Sequence, residues 1–447
     1  MTGGSVPEHQ SNHRQTTSEV NDNVDPLNLH LGEDHTKFTF GLKAFFEHAS
    51  IATPVIFEDA FWQDYNTGRC SPALAYAVAC RGTPYTDIHD KWIFQQNLAS
   101  KFREVFLTAQ SQEETLRLDD IEALALMIDF QYNTQDTVGQ IPPNLAGLFL
   151  KHDSLVLITL RAQRDMQDAV QLARSNDRRL LLFWHVYALD AFTCLDRRRM
   201  SYIPSQLTNS TVLQHAHKSY LDTILSLAII ARNCMEYLCS ANTKTNGVRV
   251  SDIRLLYKQL KDWEREIPPS FSKCRTDDKL DPFKNASVPN SLRRAVLWLL
   301  QINCYLQIHS CVEEYGLQDG TSLQGEAAAL KVESKTVQVF NELVEICQSI
   351  KSQREPFSLA DLAPTMARNI CAGGCRWICA RGVNPLSIVK PLRDDQNKER
   401  EEGITRVRRE EYRVAALLLR DVVASALSHE DTHDLVGRLD EALNNLL

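Results

Sequence analysis

Residues 178–204 read RRLLLFWHVYALDAFTCLDRRRMSYIP, and this stretch decides the fold class. Leu181, Trp184, Tyr187, Ala188, Ala191 and Leu195 recur at helical spacing along it. That periodicity marks one face of a buried helix. Arg178 and Arg179 stand at its head and Asp190 at its middle. The basic run Arg197, Arg198, Arg199 then leads into a turn that ends at Pro204. Large aromatics dominate the energetics of a core, so Trp184 and Tyr187 are expected as packing anchors. Arg178, Arg179 and Asp190 are expected in structural ion pairs.

Helical patterns continue on both sides. Ser71-Pro72 reads as an N-cap followed by proline at the first helical position, with Gly82 as the stop of that helix. Asp119 reads as the cap of IEALALMIDFQY. Further helices are expected near 84–110, 143–164, 177–195, 211–239, 252–265, 289–315, 325–351, 359–381, 406–427 and 432–446, with loops near 273–287 and 386–403. Period-2 alternation over strand length is almost absent. The expectation is an all-α, multi-helix regulatory body with a disordered N-terminal tail. The tail covers 1–33, where too few apolar groups offset the entropy of ordering. The body covers 34–385, a charged linker 386–405, and C-terminal helices 406–447. From 390 to 413 the chain carries eight Lys or Arg and seven Asp or Glu. Mixed signs of that kind suit a solvated linker or helix face.

Composition excludes some functions. There are 49 Lys plus Arg against 57 Asp plus Glu, a net charge of -8. A protein that grips many phosphates itself is usually basic, so a broad nucleic-acid surface is not expected. The first thirty residues hold no apolar segment of the kind a secretory signal needs. The twelve cysteines therefore read as reduced thiols. The apolar runs near 180–189 and 221–231 are too short for the roughly 20 residues that span a bilayer, so no membrane partner is expected. His429-Glu430-Asp431-Thr432-His433 satisfies a zinc-hydrolase pattern, two histidines a turn apart with a glutamate base. Its capping residues place it across a helix start, and it stands as an alternative reading only. Cys371, Cys375 and Cys379 share one helical face and read as a stripe of small buried side chains rather than a metal site. No motif for acyl transfer, nucleotide hydrolysis or dinucleotide binding occurs. The chain is therefore not expected to be an enzyme, and no cofactor or metal is expected.

The 178–204 stretch resembles the hallmark segment of the regulatory domain of fungal zinc-cluster transcription factors. There an arginine pair leads into an aromatic-rich helix, an acidic residue and a short turn ending at proline. Arg178, Arg179, Trp184, Tyr187, Asp190 and Pro204 occupy the matching places, although the family's usual glycine-arginine-proline turn is CLDRRRMSYIP here. Four other stretches are similar in the right order: KAFFEHASIATPVIFEDAF (43–61), SPALAYAVACRGT (71–83), LDDIEALALMIDFQY (118–132) and LYKQLKDWEREIPPSF (255–271). The last carries Trp263 and Pro268. The family's DNA-binding module holds two zinc ions with six closely spaced cysteines. No two cysteines of this chain are separated by two residues, so the resemblance stops at the regulatory body. It implies a nuclear regulator of transcription that senses a small-molecule effector or engages partners, namely the transcription machinery or a DNA-binding protein. It implies contact with DNA only indirectly, unless the zinc cluster is encoded upstream of Met1. A plain helical scaffold is the remaining alternative.

Overall fold

The computed structural model describes residues 34–127 apart from 52–53 and 112–116, residue 130, and 173–203 apart from 199 and 202. It also describes 220–352 apart from 277–278, 319 and 321, and then 364–383, 398–425 and 431–444. The described chain is all-α, with fourteen α-helices and essentially no sheet. The expected tail, the expected helix near 143–164 and Pro204 lie outside the described residues.

The N-terminal group comprises α1 (His35–Glu47), α2 (Glu58–Asn66), α3 (Pro72–Gly82), α4 (Lys91–Ser111) and α5 (Leu118–Met127). The arginine-led helix is α6 (Ala173–Arg197). It is followed by α7 (Tyr220–Leu238), the short α8 (Ala241–Asn246), α9 (Val250–Glu266) and α10 (Val288–Tyr315). The last group is α11 (Leu323–Ser352), α12 (Pro364–Val383), α13 (Lys398–Ser425) and α14 (Asp431–Asn444). One cluster of buried apolar side chains runs through all these groups, from Phe38 to Leu443. Removing that surface from water is the main term holding the helices together.

Ser71 caps α3 as its sequence suggests: its side chain accepts the Ala73 N–H at 3.2 Å, with Pro72 at the first position. Gly82 is the last residue of α3, as expected, but it does not end the helix through a left-handed turn. Its φ of -86° is right-handed, and the chain runs on into a 3-10 turn at Thr83–Tyr85. A Cβ on Gly82 would lie 1.9 Å from the carbonyl oxygen of Gly41, and one on Gly41 would lie 2.7 Å from that of Ala79. The two glycines therefore let the backbones of α1 and α3 touch, which brings the aromatic face of α1 onto the alanine-rich α3.

Helix α10 is the central element. It is long and apolar enough to cross a membrane by length and composition, yet 78% of its most apolar window is buried inside the fold. Those lengths and hydropathies also suit the core helix of a large helical body. The 273–287 loop contains a small antiparallel hairpin, β1 (Arg275–Thr276) with β2 (Lys279–Leu280). It is pinned to α11 where the Leu280 N–H donates to the Glu345 carboxylate at 2.9 Å. Helix α13 begins at Lys398, so the last eight residues of the expected charged linker are helical. Pairs of acids and bases three or four apart favour helix there. Helix α13 packs on α12 and on α11, and ion pairs fix its other edges: Lys351 to Asp421 at 2.6 Å and a two-point Arg420–Asp440 bridge at 2.8 and 2.9 Å.

Candidate functional site at the arginine-led helix

Helix α6 carries most of the residues singled out in the sequence, and its head meets an acidic cluster. The Arg178 guanidinium donates to both oxygens of Glu122, at 3.1 and 2.5 Å, and to Asp64 at 2.9 Å and Asp119 at 3.4 Å. Two helices therefore converge on one side chain of α6, and α3 joins them through Asp119. Asp64 comes from α2, and Asp119 and Glu122 from α5. Ser71, at the head of α3, donates its N–H to Asp119 at 2.9 Å and its hydroxyl to Asp120. Asp119 is thus not the cap of its own helix. Its carboxylate ties α3 to α6, while Asp120 closes the turn by accepting the Arg117 N–H at 3.1 Å. Arg69 pairs with Asp64 and Arg117 with Asp119 at the rim, both at 3.1 Å.

Sequence reasoning placed Arg178 but not its partners. A signal existed. LDDIEALALM sets three acids in an otherwise apolar helix, and all three are buried. Acids are almost never fully buried without a partner, so a buried base was required.

The electrostatics follow from the burial. Glu122 is 1% exposed. Burial pushes its carboxyl up to about 7 despite the hydrogen bonds and charge of Arg178, and Asp119 and Asp64 add to the rise. Burial alone would loosen the Arg178 proton, but Glu122, Asp119 and Asp64 outweigh it and hold that proton more tightly than usual. A carboxyl raised from 4.5 to about 7 favours the folded state fully below about 4.5 and loses that contribution as pH rises through 7. The change amounts to about 3 kcal/mol. Wild type and Glu122→Gln are therefore expected to have similar stability at pH 5. The wild type should fall behind by that order at pH 8. Urea titrations across this range check it, and a pH-independent difference between the two proteins contradicts it.

The far end of α6 is locked differently. Asp190 is fully buried and accepts the Ile203 N–H at 3.2 Å, the Ser201 hydroxyl and the Cys194 thiol at 3.3 Å. It thereby holds the altered turn against its own helix. Arg232 of α7 covers the Tyr187 ring, with its guanidinium carbon 5.5 Å from the ring centre, and donates to the Ile203 carbonyl. Arg198, in the left-handed region at φ 50°, leaves the helix and bonds Glu314 and Ser310 of α10. The structure therefore gives Arg178, Tyr187 and Asp190 interlocking partners within the protein. The side chains of Arg179 and Trp184 lie outside the described residues.

Neither curated proteins nor solved structures match this chain, and no protein-family model does.

Trp263 and Pro268 act further along. The Trp263 indole donates to the Thr223 carbonyl and the Ser226 hydroxyl of α7, both at 3.1 Å. The Pro268 carbonyl accepts the N–H groups of Phe271 and Ser272 at 2.9 and 3.1 Å. That turn presents the Phe271 carbonyl to the Trp298 indole, 2.9 Å away at the core of α10.

The remaining candidates are dispersed. Cys371, Cys375 and Cys379 are buried along α12, and Cys371 meets Cys347 of α11 at 3.6 Å between sulfurs. Among the described residues no three potential metal ligands come together. His429 and Glu430 lie outside the described residues. The next residue, Asp431, opens α14, so His433 falls in its first turn.

Proposed function

We propose that this chain is a regulatory body acting in transcription, of the type found in fungal zinc-cluster factors. It works through an effector or a partner rather than by catalysis. The supporting observation is the arginine-led helix. The stretch that resembles the family's hallmark is also the one tied to other helices at both ends, to α2 and α5 through Arg178, and to α7 and α10 through Arg232 and Arg198. Such a helix couples distant parts of a domain through two packed interfaces, which is what a shape change driven by an effector needs. Four further stretches similar to the family in the same order support the same reading. In this proposal the protein works in the nucleus. Its acidic balance makes a DNA-binding partner the route to the genome.

The test is to join the full chain to a foreign DNA-binding domain at a reporter promoter. A change in reporter output is expected. Unchanged output from a folded, nuclear fusion contradicts the reading and leaves a structural scaffold in its place.

A further inference from the structure

Helix α11 carries an apolar stripe on each of two opposite sides. Val332, Thr336, Val339, Leu343 and Ile346 are buried where the helix packs on α10 and α13. The other stripe faces outward. Leu323 is 86% exposed, Leu330 53% and Val337 41%. These three stand seven residues apart, and Ala327, Ser334 and Asn341, also exposed, complete the line. Positions 323, 327, 330, 334, 337 and 341 alternate four and three apart, which is the spacing of a coiled-coil seam.

In heptad terms Leu323, Leu330 and Val337 occupy d, and Ala327, Ser334 and Asn341 occupy a. Leucine at d suits a two-stranded coil, and a single polar Asn at a fixes the register between strands. The flanks carry charges that distinguish the two orientations. Glu326 and Glu333 take position g, and Lys331 takes position e. Glu326 and Lys331 stand on opposite flanks of the stripe, five positions apart, so they do not face each other within one helix. In a parallel coil the g residue of one helix meets the e residue of the next heptad on the other. Glu326 of each copy then meets Lys331 of the other, and two-fold symmetry makes that pair twice. An antiparallel coil would set the glutamate flank of one copy against the glutamate flank of the other.

We propose that the outer face of α11 is the interface of a parallel homodimer. The stripe from Leu323 to Asn341 packs on the same stripe of a second copy about a two-fold axis. The helix is already folded on its own body, so association does not bear the cost of ordering it, and a stripe shorter than a free-standing coiled coil suffices. The buried stripe points the other way, so the two bodies lie on either side of the pair. This inference does not depend on the transcription reading.

The experiment is sedimentation equilibrium of the full chain from low to high micromolar concentration. The mass is expected to rise from 50.8 kDa towards twice that value. Leu330→Glu removes two apolar side chains from the seam, so the dimer dissociation constant should rise roughly a hundredfold or more. Glu326→Lys sets like charges opposite each other and should weaken the dimer roughly threefold or more, and adding Lys331→Glu to it should restore the parent affinity. Ser334→Cys chains should cross-link to each other through position 334 under mild oxidation, as only a parallel, in-register pair brings that position against itself. All the substituted side chains are exposed, and circular dichroism checks that each variant is folded. A monomer at every concentration overturns the proposal, whether another segment of this chain or a different protein covers the stripe. So does a dimer that Leu330→Glu leaves intact, or one in which the double charge reversal binds no better than Glu326→Lys alone.

Discussion

Arg178→Ala is expected to cost about 3–5 kcal/mol of folding stability, because breaking a buried ion pair leaves an uncompensated charge. The acids left behind are Glu122, at 1% exposure, with Asp119 and Asp64 beside it. Glu122 can escape part of the cost by taking a proton. The loss should therefore be larger at pH 8 than at pH 6, since its carboxyl titrates near 7. Arg178→Lys should restore only part of the stability, as an ammonium cannot make the two parallel bonds to Glu122. Urea unfolding of the three proteins at both pH values measures this. A loss below about 1 kcal/mol, the range of an exposed pair, would mean that the cluster is solvated.

Trp298→Ala should be as damaging, at about 3–5 kcal/mol. The indole has no exposed surface, and its N–H satisfies the Phe271 carbonyl at 2.9 Å. Truncation leaves a cavity in the central helix and orphans the carbonyl that the Pro268 turn presents. Trp298→Phe keeps most of the volume, so its cost should be clearly smaller and should include about 1 kcal/mol for the lost hydrogen bond. Alanine and phenylalanine variants that melt together would show that α10 is not packed as described.

What the sequence revealed was local. The Ser71-Pro72 cap, the 178–195 periodicity and the Trp263 helix all involve residues within a few turns of each other, and the structure places helices there. The misassignments have a common cause. Gly82 does end α3, but not through the left-handed turn that a glycine stop usually makes. Its actual reason is Gly41, forty-one positions earlier, whose backbone it must touch. Asp119 looked like a cap from its neighbours in sequence, while its partners are Ser71 and Arg178. Arg178 and Asp64 are 114 residues apart, and no pattern of fixed period could join them. The buried acids of α5 demanded a base, but not which base. The start of α13 was misjudged because its first residues are charged throughout, and a polar, mixed-sign helix has the composition of a linker. The apolar length of α10 was missed in the sequence, where only the runs near 180–189 and 221–231 were weighed, and its place at the centre depended on the helices that cover it.

The most direct measurement of the central claim compares reporter output from three tethered proteins: the foreign DNA-binding domain alone, its fusion to this chain, and the same fusion carrying Arg178→Ala. The account predicts that the fusion changes output relative to the domain alone. It also predicts that Arg178→Ala removes the change in proportion to its loss of folded protein. Equal output from all three, with the unsubstituted fusion folded and in the nucleus, would contradict it.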